Sequence, residues 1–141
     1  MKDVVVGVYG SETAATAAEK AAALAKAYGV NLHLVTCADR SAPVEVGLGG
    51  DRTMIAWNED AELMLEGYVK SLDHDRISTH VGTGDPASVL CAEARRLDAS
   101  VIVVGNRRVQ GVSRVLGSVA TGVARHAHCD VFVANTRHVK K

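Results

Sequence analysis

Five segments of the chain have the hydrophobic pattern of β-strands. The runs Val4–Tyr9 and Ser100–Val104 are apolar at nearly every position, which is typical of strands buried on both faces in the middle of a parallel sheet. Apolar and polar residues alternate in Arg76–Val81, which predicts a strand with one exposed face at an edge of the sheet. We predict two further strands at Asn31–Cys37 and Asp130–Asn135.

Helical patterns separate these strands. We predict helices over about Thr13–Tyr28, from Asn58 or Asp60 to Leu72, from Asp85 to about Leu97, and over Gly117–His126. Gly29 suits the position after the first helix, and Asp85 followed by Pro86 is a strong start signal for the third. The second helix has an apolar face formed by Ala61, Leu63, Met64, Leu65 and Tyr68.

A long connection, from about Ala38 to Asn58, contains Pro43 and the glycine-rich stretch Gly47–Gly50. Loops of this length are unusual in a compact domain and often act as lids or binding loops. Two interpretations stay open. The connection and Trp57 form a lid or a partner surface, or the loop lies on the surface and Trp57 packs at the start of the next helix.

The order β-α-β-α-β-α-β-α-β predicts one α/β domain over residues 1–141 with a mostly parallel five-stranded sheet. The first and fourth strands are the most apolar and therefore belong in the middle. If they are neighbours, the chain reverses direction between them, and open α/β sheets bind ligands at such a switch point. Residues 7–11 would then lie beside residues 104–108.

Composition excludes several classes of protein. Hydrophobic residues make up 48% and charged residues 23%, which excludes a disordered chain. The net charge is zero, with 16 basic and 16 acidic residues, and aromatic residues are few, so neither nucleic acid nor a membrane surface is the expected partner. No apolar run is long enough for a membrane span. The N-terminus lacks the features of a signal peptide, which predicts a cytoplasmic protein.

The neutral charge conceals an uneven distribution. Residues 1–106 carry nine basic and fifteen acidic side chains, whereas residues 107–141 carry seven basic and one acidic. Arg107, Arg108 and Arg114 begin this positive excess, so the neutral total does not argue against a small, locally bound anion.

Cysteine and histidine are not spaced as metal ligands. Cys37, Cys91 and Cys129 lie far apart in sequence without a CxxC motif, and we expect three reduced, mostly buried thiols. In the stretch His126–Cys129, the two histidines are two residues apart at a predicted helix end, where histidine interacts favourably with the helix dipole. We therefore predict no metal site in the protein itself.

A glycine-containing loop after the fourth strand is the strongest candidate for a binding site. Gly105 lets the backbone leave the strand tightly, and Gly117-Ser118 opens a helix whose free N–H groups suit an anion. Ser118, Arg107 and Arg108 would add hydrogen bonds to phosphate oxygens. The loop lacks the Gly-Lys-Ser/Thr of a Walker A motif.

We predict no catalytic residues from the sequence. Ser11 lies at a strand–helix turn, but the Gly-x-Ser-x-Gly elbow of hydrolases is missing. His33 and His80 fall on predicted strands and are expected to be exposed polar positions rather than general bases.

Several of these motifs together resemble the universal stress protein family, and the resemblance covers nearly the whole chain. They are the opening strand with Gly10-Ser11, the turn Gly82-x-Gly84-Asp85-Pro86, the strand end Val103–Asn106, Gly117-Ser118-Val119, and the approach to the last strand, His126–Val131. The resemblance implies a three-layer α/β/α fold of the adenine nucleotide alpha hydrolase-like type, with strand order 3-2-1-4-5. It also implies a homodimer formed through the last strand, Asp130–Asn135, which is sticky if it lies at an edge.

The resemblance further implies a site for an adenine nucleotide such as ATP, accompanied by Mg²⁺, which a member of this family senses or carries without efficient turnover. The matching positions are Gly7, Tyr9, Cys37, Val104, Gly105, Asn106, Arg107, Arg108, Gly117, Ser118 and Val119. Cys37 would contact the adenosine through its backbone.

Two positions depart from the family pattern. Tyr9 stands where nucleotide-binding members have an aspartate, and its ring would fill the adenosine pocket or stack within it. Arg108 stands at the second glycine of the phosphate loop, and eight residues, rather than nine, separate it from Gly117. Arginine adopts a positive φ less easily than glycine but brings a guanidinium to the phosphates. A second hypothesis therefore stays open, namely a member that has lost nucleotide binding and acts as a dimeric interaction or chaperone-like module.

Overall fold

The computed structural model describes residues 1–9, 12–38, 50–106 and 117–136. Five strands alternate with four helices along the chain. In order they are β1 (Val4–Gly7), α1 (Glu12–Tyr28), β2 (Leu32–Ala38), α2 (Gly50–Ser71), β3 (Ile77–Thr83), α3 (Pro86–Arg96), β4 (Val101–Gly105), α4 (Ser118–His126) and β5 (Asp130–Ala134).

The strands form one parallel sheet in the order β3-β2-β1-β4-β5, which confirms the predicted topology. The central position of β1 follows from its sequence, because Val4, Val5 and Val6 are completely buried. Its register places Val4 beside Leu32 of β2 and beside Val101 of β4. Strands that are buried on both faces and paired on both sides need apolar side chains at consecutive positions.

Helices cover both faces of the sheet, which gives the predicted three layers. On one face, Val4 and Val6 pack with α1 and with Leu65 of α2. On the other, Val5 and Ile102 belong to the cluster formed with α3 and α4. Alanine dominates the buried side of α1, and these short side chains let the helix lie close to the sheet.

The predicted start and stop signals of two helices are confirmed. Gly29 follows α1 with a φ of +67°, a conformation that costs glycine little. Asp85 caps α3, with its carboxylate accepting a hydrogen bond from the Ser88 backbone N–H at 3.0 Å, and Pro86 occupies the first helical position.

The predicted start of α2 is wrong. The helix begins at Gly50 rather than at Asn58 or Asp60, so the connection after β2 is shorter than expected and position 57 lies within a helix. The lid interpretation of residues 39–49 lies outside the described residues. Leu63 was expected on the apolar face of α2, but it is 64% exposed because the buried stripe runs through Leu65 and the partly buried Met64 and Tyr68.

The two edges of the sheet are β3 and β5. The alternating pattern of β3 correctly predicts an edge strand, with Ser78 and His80 exposed. In β5, Phe132 is 43% and Val133 38% exposed, so this edge presents apolar side chains. In the part of the chain that the structure describes, no helix is both long and apolar enough to cross a membrane.

Candidate functional site

A crevice opens between β1 and β4 at the carboxyl edge of the sheet. The pairing of these two strands ends at Val6 and Val103. Beyond this point β1 and β4 each pair only with their outer neighbour. Gly7 pairs with Val35 of β2, and Gly105 pairs with Ala134 of β5. The strands therefore part where the chain order reverses, which is the predicted switch point.

At the end of β1, two side chains pack closely against Gly7. Gly7 and Val104 are both buried. A Cβ placed on Gly7 would lie 2.8 Å from a methyl carbon of Leu90 and 2.9 Å from the ring of Tyr9. Any larger residue at position 7 would therefore require the side chains of Leu90 and Tyr9 to shift.

Tyr9 lies at the exit of β1 and is partly buried against the cluster beneath α3 and α4. Its hydroxyl oxygen is inaccessible and has no hydrogen-bond partner. Burial, followed by the neighbouring Cys37, Asp85 and Cys91, raises the pKa of Tyr9 above its usual value. The phenol therefore stays protonated at neutral pH and is a donor rather than a base.

Cys37 stands near the end of β2, beside Gly82 of β3. Burial, with a smaller contribution from Asp85, raises the pKa of its thiol to about 11. At neutral pH Cys37 is therefore a neutral thiol with little nucleophilic character. All three cysteines are reduced and only partly buried, so they are less buried than the sequence predicts.

Helix α4 follows β4, so its N-terminus lies at the same edge of the sheet. Gly117 is its N-cap, with extended backbone, and among the described residues no side-chain cap is present. The first helical hydrogen bond runs from the Thr121 N–H to the Gly117 carbonyl at 3.0 Å. The N–H groups of residues 118–120 thus have no acceptor within the helix. Ser118 is exposed, and no acidic residue lies in the first turn.

Asn106 has a structural partner at the start of the candidate phosphate loop. Its side-chain oxygen accepts hydrogen bonds from the backbone N–H of Thr136 at 2.7 Å and from the Thr136 hydroxyl at 2.9 Å. Thr136 is almost completely buried. Asn106 therefore joins the end of β4 to the segment after β5, and its side-chain oxygen is engaged within the protein.

The structure brings most of the predicted site residues to this one edge. Gly7 is the last residue of β1, and Tyr9 follows the strand. Val104 to Asn106 lie at the end of β4, and residues 117–119 lie at the start of α4. Gly10, Ser11, Arg107 and Arg108 lie outside the described residues. The sequence did not reveal Leu90 and Cys91 as neighbours of Tyr9, because they reach the crevice from α3 on the covering layer.

The histidines have structural partners. His33 was expected to be exposed, but its side chain is only 12% exposed and pairs with Asp3 at 2.8 Å. Although burial alone would raise the pKa of Asp3, hydrogen bonds from His33 and Asn31 lower it below its usual value. His80 pairs with the buried Glu93 at 3.1 Å.

The stretch His126–Cys129 has the helix-end role that the sequence predicts. The His126 Nδ1 lies 2.9 Å from the Gly122 carbonyl, one turn earlier in α4. The ring of His128 contacts the Arg95 guanidinium. Across the described segments, no three His, Cys, Asp or Glu side chains come together in a way that would hold a metal ion.

Comparison with known proteins agrees with this architecture. The model of the universal stress protein family matches residues 1–135. A universal stress protein of Synechocystis sp. is 44% identical over 99 residues, which are 63% of this chain and 92% of that protein. One from Methanocaldococcus jannaschii is 30% identical over 138 residues, which are 94% of this chain and 81% of that protein.

The fold is also found among solved structures. A universal stress protein solved in complex with cAMP is 27% identical, with a TM-score of 0.68, over 96% of this chain and 98% of that one. The family match, the curated relatives and the sheet order all lead to the same assignment. The chain belongs to the universal stress protein family.

Proposed function

We propose that this protein binds an adenine nucleotide in the crevice between β1 and β4, with the phosphate at the N-terminus of α4. The observation that carries the proposal is the uncapped start of that helix. Backbone N–H groups without acceptors within the helix and the positive end of the helix dipole form a favourable environment for a phosphate. Ser118 is exposed beside them and supplies a hydroxyl donor.

The charge around the site supports an anionic ligand. The first turn of α4 contains no acidic residue, and the sequence that leads into it carries Arg107, Arg108 and Arg114. Arginine binds phosphate through paired, charge-assisted hydrogen bonds. The adenine class is supported by the relative solved with cAMP. In this proposal Mg²⁺ accompanies the phosphates of ATP and has no dedicated site among the described residues.

We propose binding without efficient turnover. Hydrolysis of a phosphate ester requires a group that orients or activates the attacking water. Tyr9 is held in its protonated form by burial, and Cys37 is a neutral thiol. A protein of this kind would respond to the nucleotide through its conformation or its partners.

Native mass spectrometry of the purified protein, followed by calorimetric titration with ATP, AMP and cAMP, tests the proposal. We expect co-purified adenine nucleotide or a dissociation constant in the micromolar range, together with a rise in the melting temperature. GTP at the same concentrations is the control for base selectivity. Absence of heat and of any thermal shift at millimolar ligand would contradict nucleotide binding.

The exposed edge of β5 favours a second candidate function, a dimeric interaction module. Phe132 and Val133 are exposed on a strand that pairs on one side only. Pairing with a second copy would cover this edge and remove an aggregation hazard. Sedimentation at micromolar concentration should then show a dimer, and a Val133→Lys variant should shift it to the monomer. A wild-type protein that sediments only at 14.8 kDa would contradict this assembly.

A further inference from the structure

Asn106 ties the exit of β4 to the segment that follows β5. Its backbone N–H donates to the Ala134 carbonyl at 3.0 Å, and its side-chain oxygen accepts from the Thr136 N–H at 2.7 Å. The Thr136 hydroxyl lies 2.9 Å from the same side-chain oxygen and 3.1 Å from the Asn106 carbonyl. Thr136 is only 3% exposed, although it lies beyond the last strand. We call this set of contacts the Asn106–Thr136 latch.

The latch connects the crevice with a free edge of the sheet. Asn106 is the first residue after β4, at the edge where β1 and β4 part. Shortly before Thr136, Phe132 and Val133 are exposed on β5, a strand that pairs only with β4. A strand that is paired on one side and partly exposed has few contacts to break, so it opens locally at a lower cost in free energy than a central strand.

The other edge strand, β3, is connected differently. It pairs with β2 along its whole length, and β2 separates it from β1 and the crevice. The ion pair that β3 makes among the described residues, His80 with Glu93, goes to α3. The two edges therefore provide a comparison within one molecule, because the latch joins the crevice to β5 and not to β3.

We infer that an occupied crevice keeps β5 in the sheet, so that the nucleotide controls how often the β5 edge opens. This inference rests on the proposed function and deepens it by naming its regulation. In the closed state, the latch is formed and the exit of β4 is fixed. In the open state, the end of β5 leaves the sheet, and Asn106 loses the contacts that position it. A nucleotide that binds only the closed state makes opening rarer by mass action.

Hydrogen exchange of the backbone amides, followed by mass spectrometry with and without ATP, tests the inference. Calorimetry first gives the dissociation constant. At an ATP concentration about a hundred times that constant, exchange in residues 130–136 should slow by at least about tenfold, with about a hundredfold as the limit set by mass action. Residues 77–83 of β3 are the internal control, and their exchange should slow less than about twofold.

A substitution in the latch tests the connection itself. Thr136→Val removes the hydroxyl at similar side-chain volume. Without nucleotide, residues 130–136 of this variant should exchange about threefold faster than in wild type, because the latch has lost a hydrogen bond. ATP should also slow their exchange less than it does in wild type. Thr136→Ser retains the hydroxyl and is the matched control. The comparison of β5 with β3 in wild-type protein does not depend on how the variant folds.

The outcomes separate this inference from the proposed function. If ATP binds in calorimetry but slows exchange equally in β3 and β5, or in neither, the inference is overturned and the proposed function stands. If Thr136→Val responds to ATP like wild type, the latch is not the connection and the inference is again overturned. If wild-type protein binds neither ATP nor AMP at millimolar concentration, both the inference and the proposed function are overturned.

Discussion

Helices α3 and α4 begin at the same edge of the sheet, but their N-termini are capped differently. At α3, the Asp85 carboxylate accepts from both the backbone N–H and the hydroxyl of Ser88, at 3.0 and 2.9 Å. At α4, the N-cap is Gly117, which has no side chain with which to cap the helix. Within the described residues, the chain thus supplies a carboxylate to the start of α3 and none to the start of α4.

The two helices also differ in how they are held in place. On α3, Glu93 is buried and pairs with His80 of β3 and with Arg96. On α4, apolar contacts dominate, and Gly122 lies so close to α3 that an added Cβ would be 2.7 Å from the Cβ of Ala87. The open N-terminus of α4 is therefore positioned by close packing.

Giving α4 the cap of α3 should have the largest effect on binding. The backbone of Gly117, with a φ of −64°, accommodates any residue, so Gly117→Asp should fold and gain a few tenths of a kcal/mol from its cap. Its carboxylate would repel the phosphate and occupy the free N–H groups, and ATP should bind at least tenfold more weakly in calorimetry. Gly117→Asn, which caps without charge, should lose less affinity. Equal affinity of Gly117→Asp and wild type would show that the phosphate lies elsewhere.

Removing the cap of α3 should affect stability instead. Asp85→Ala leaves the first turn of α3 without an acceptor and should lower the free energy of unfolding by about 1 kcal/mol in urea denaturation. Asp85→Asn retains a capping oxygen and is the matched control. If Asp85→Ala lost as much nucleotide affinity as Gly117→Asp, the prediction that only the N-terminus of α4 contacts the phosphate would be wrong.

Removing the hydroxyl at the start of α4 should have a smaller effect. Ser118 is exposed and caps none of the described backbone groups, so Ser118→Ala should leave the melting temperature unchanged. It should weaken ATP binding about threefold, because an exposed hydroxyl exchanges a hydrogen bond to water for one to the phosphate and the net gain is small. Ser118→Thr keeps the hydroxyl and should bind like wild type. Unchanged affinity in Ser118→Ala would exclude a contact between this hydroxyl and the phosphate.

The smallest expected effect is a pH dependence that comes from the ligand. The second pKa of a phosphate monoester is about 6, so most AMP molecules change from the dianion to the monoanion between pH 7.5 and pH 5.5. An uncapped helix end prefers the dianion, and AMP affinity should fall about twofold over this range. cAMP has no second ionisation and should lose less. A fall of the same size for both ligands would place the titrating group on the protein.

The fold could be predicted from the sequence because central strands and edge strands of a sheet have different hydrophobic patterns. The consecutive valines of β1 and the apolar run of β4 correctly identified the two central strands, and alternation identified β3 as an edge. The start of α2 was missed because Gly47–Gly50 has the composition of a turn. The apolar residues Met54, Trp57, Ala61, Met64 and Tyr68 repeat with helical spacing and carry the signal that was overlooked.

The site could be predicted only in part. Gly117 and Ser118 could be identified because a helix N-terminus depends on local sequence, and the structure places them at the start of α4. The contact of Asn106 with Thr136, and the packing of Tyr9 against the cluster that contains Leu90, join residues far apart in the chain. Such contacts arise when the helix layers pack on the sheet, and no local sequence pattern predicts them.

The pairing of β1 with β4 also has a consequence for the order of folding events. Val4 lies beside Val101, so the crevice closes only when residues roughly a hundred positions apart have met. The β1–α1–β2 pairing is much more local and encloses no crevice. A ligand held between β1 and β4 therefore has nothing to bind until the two halves of the sheet have joined. It would lengthen the lifetime of the folded chain and leave the speed of folding untouched.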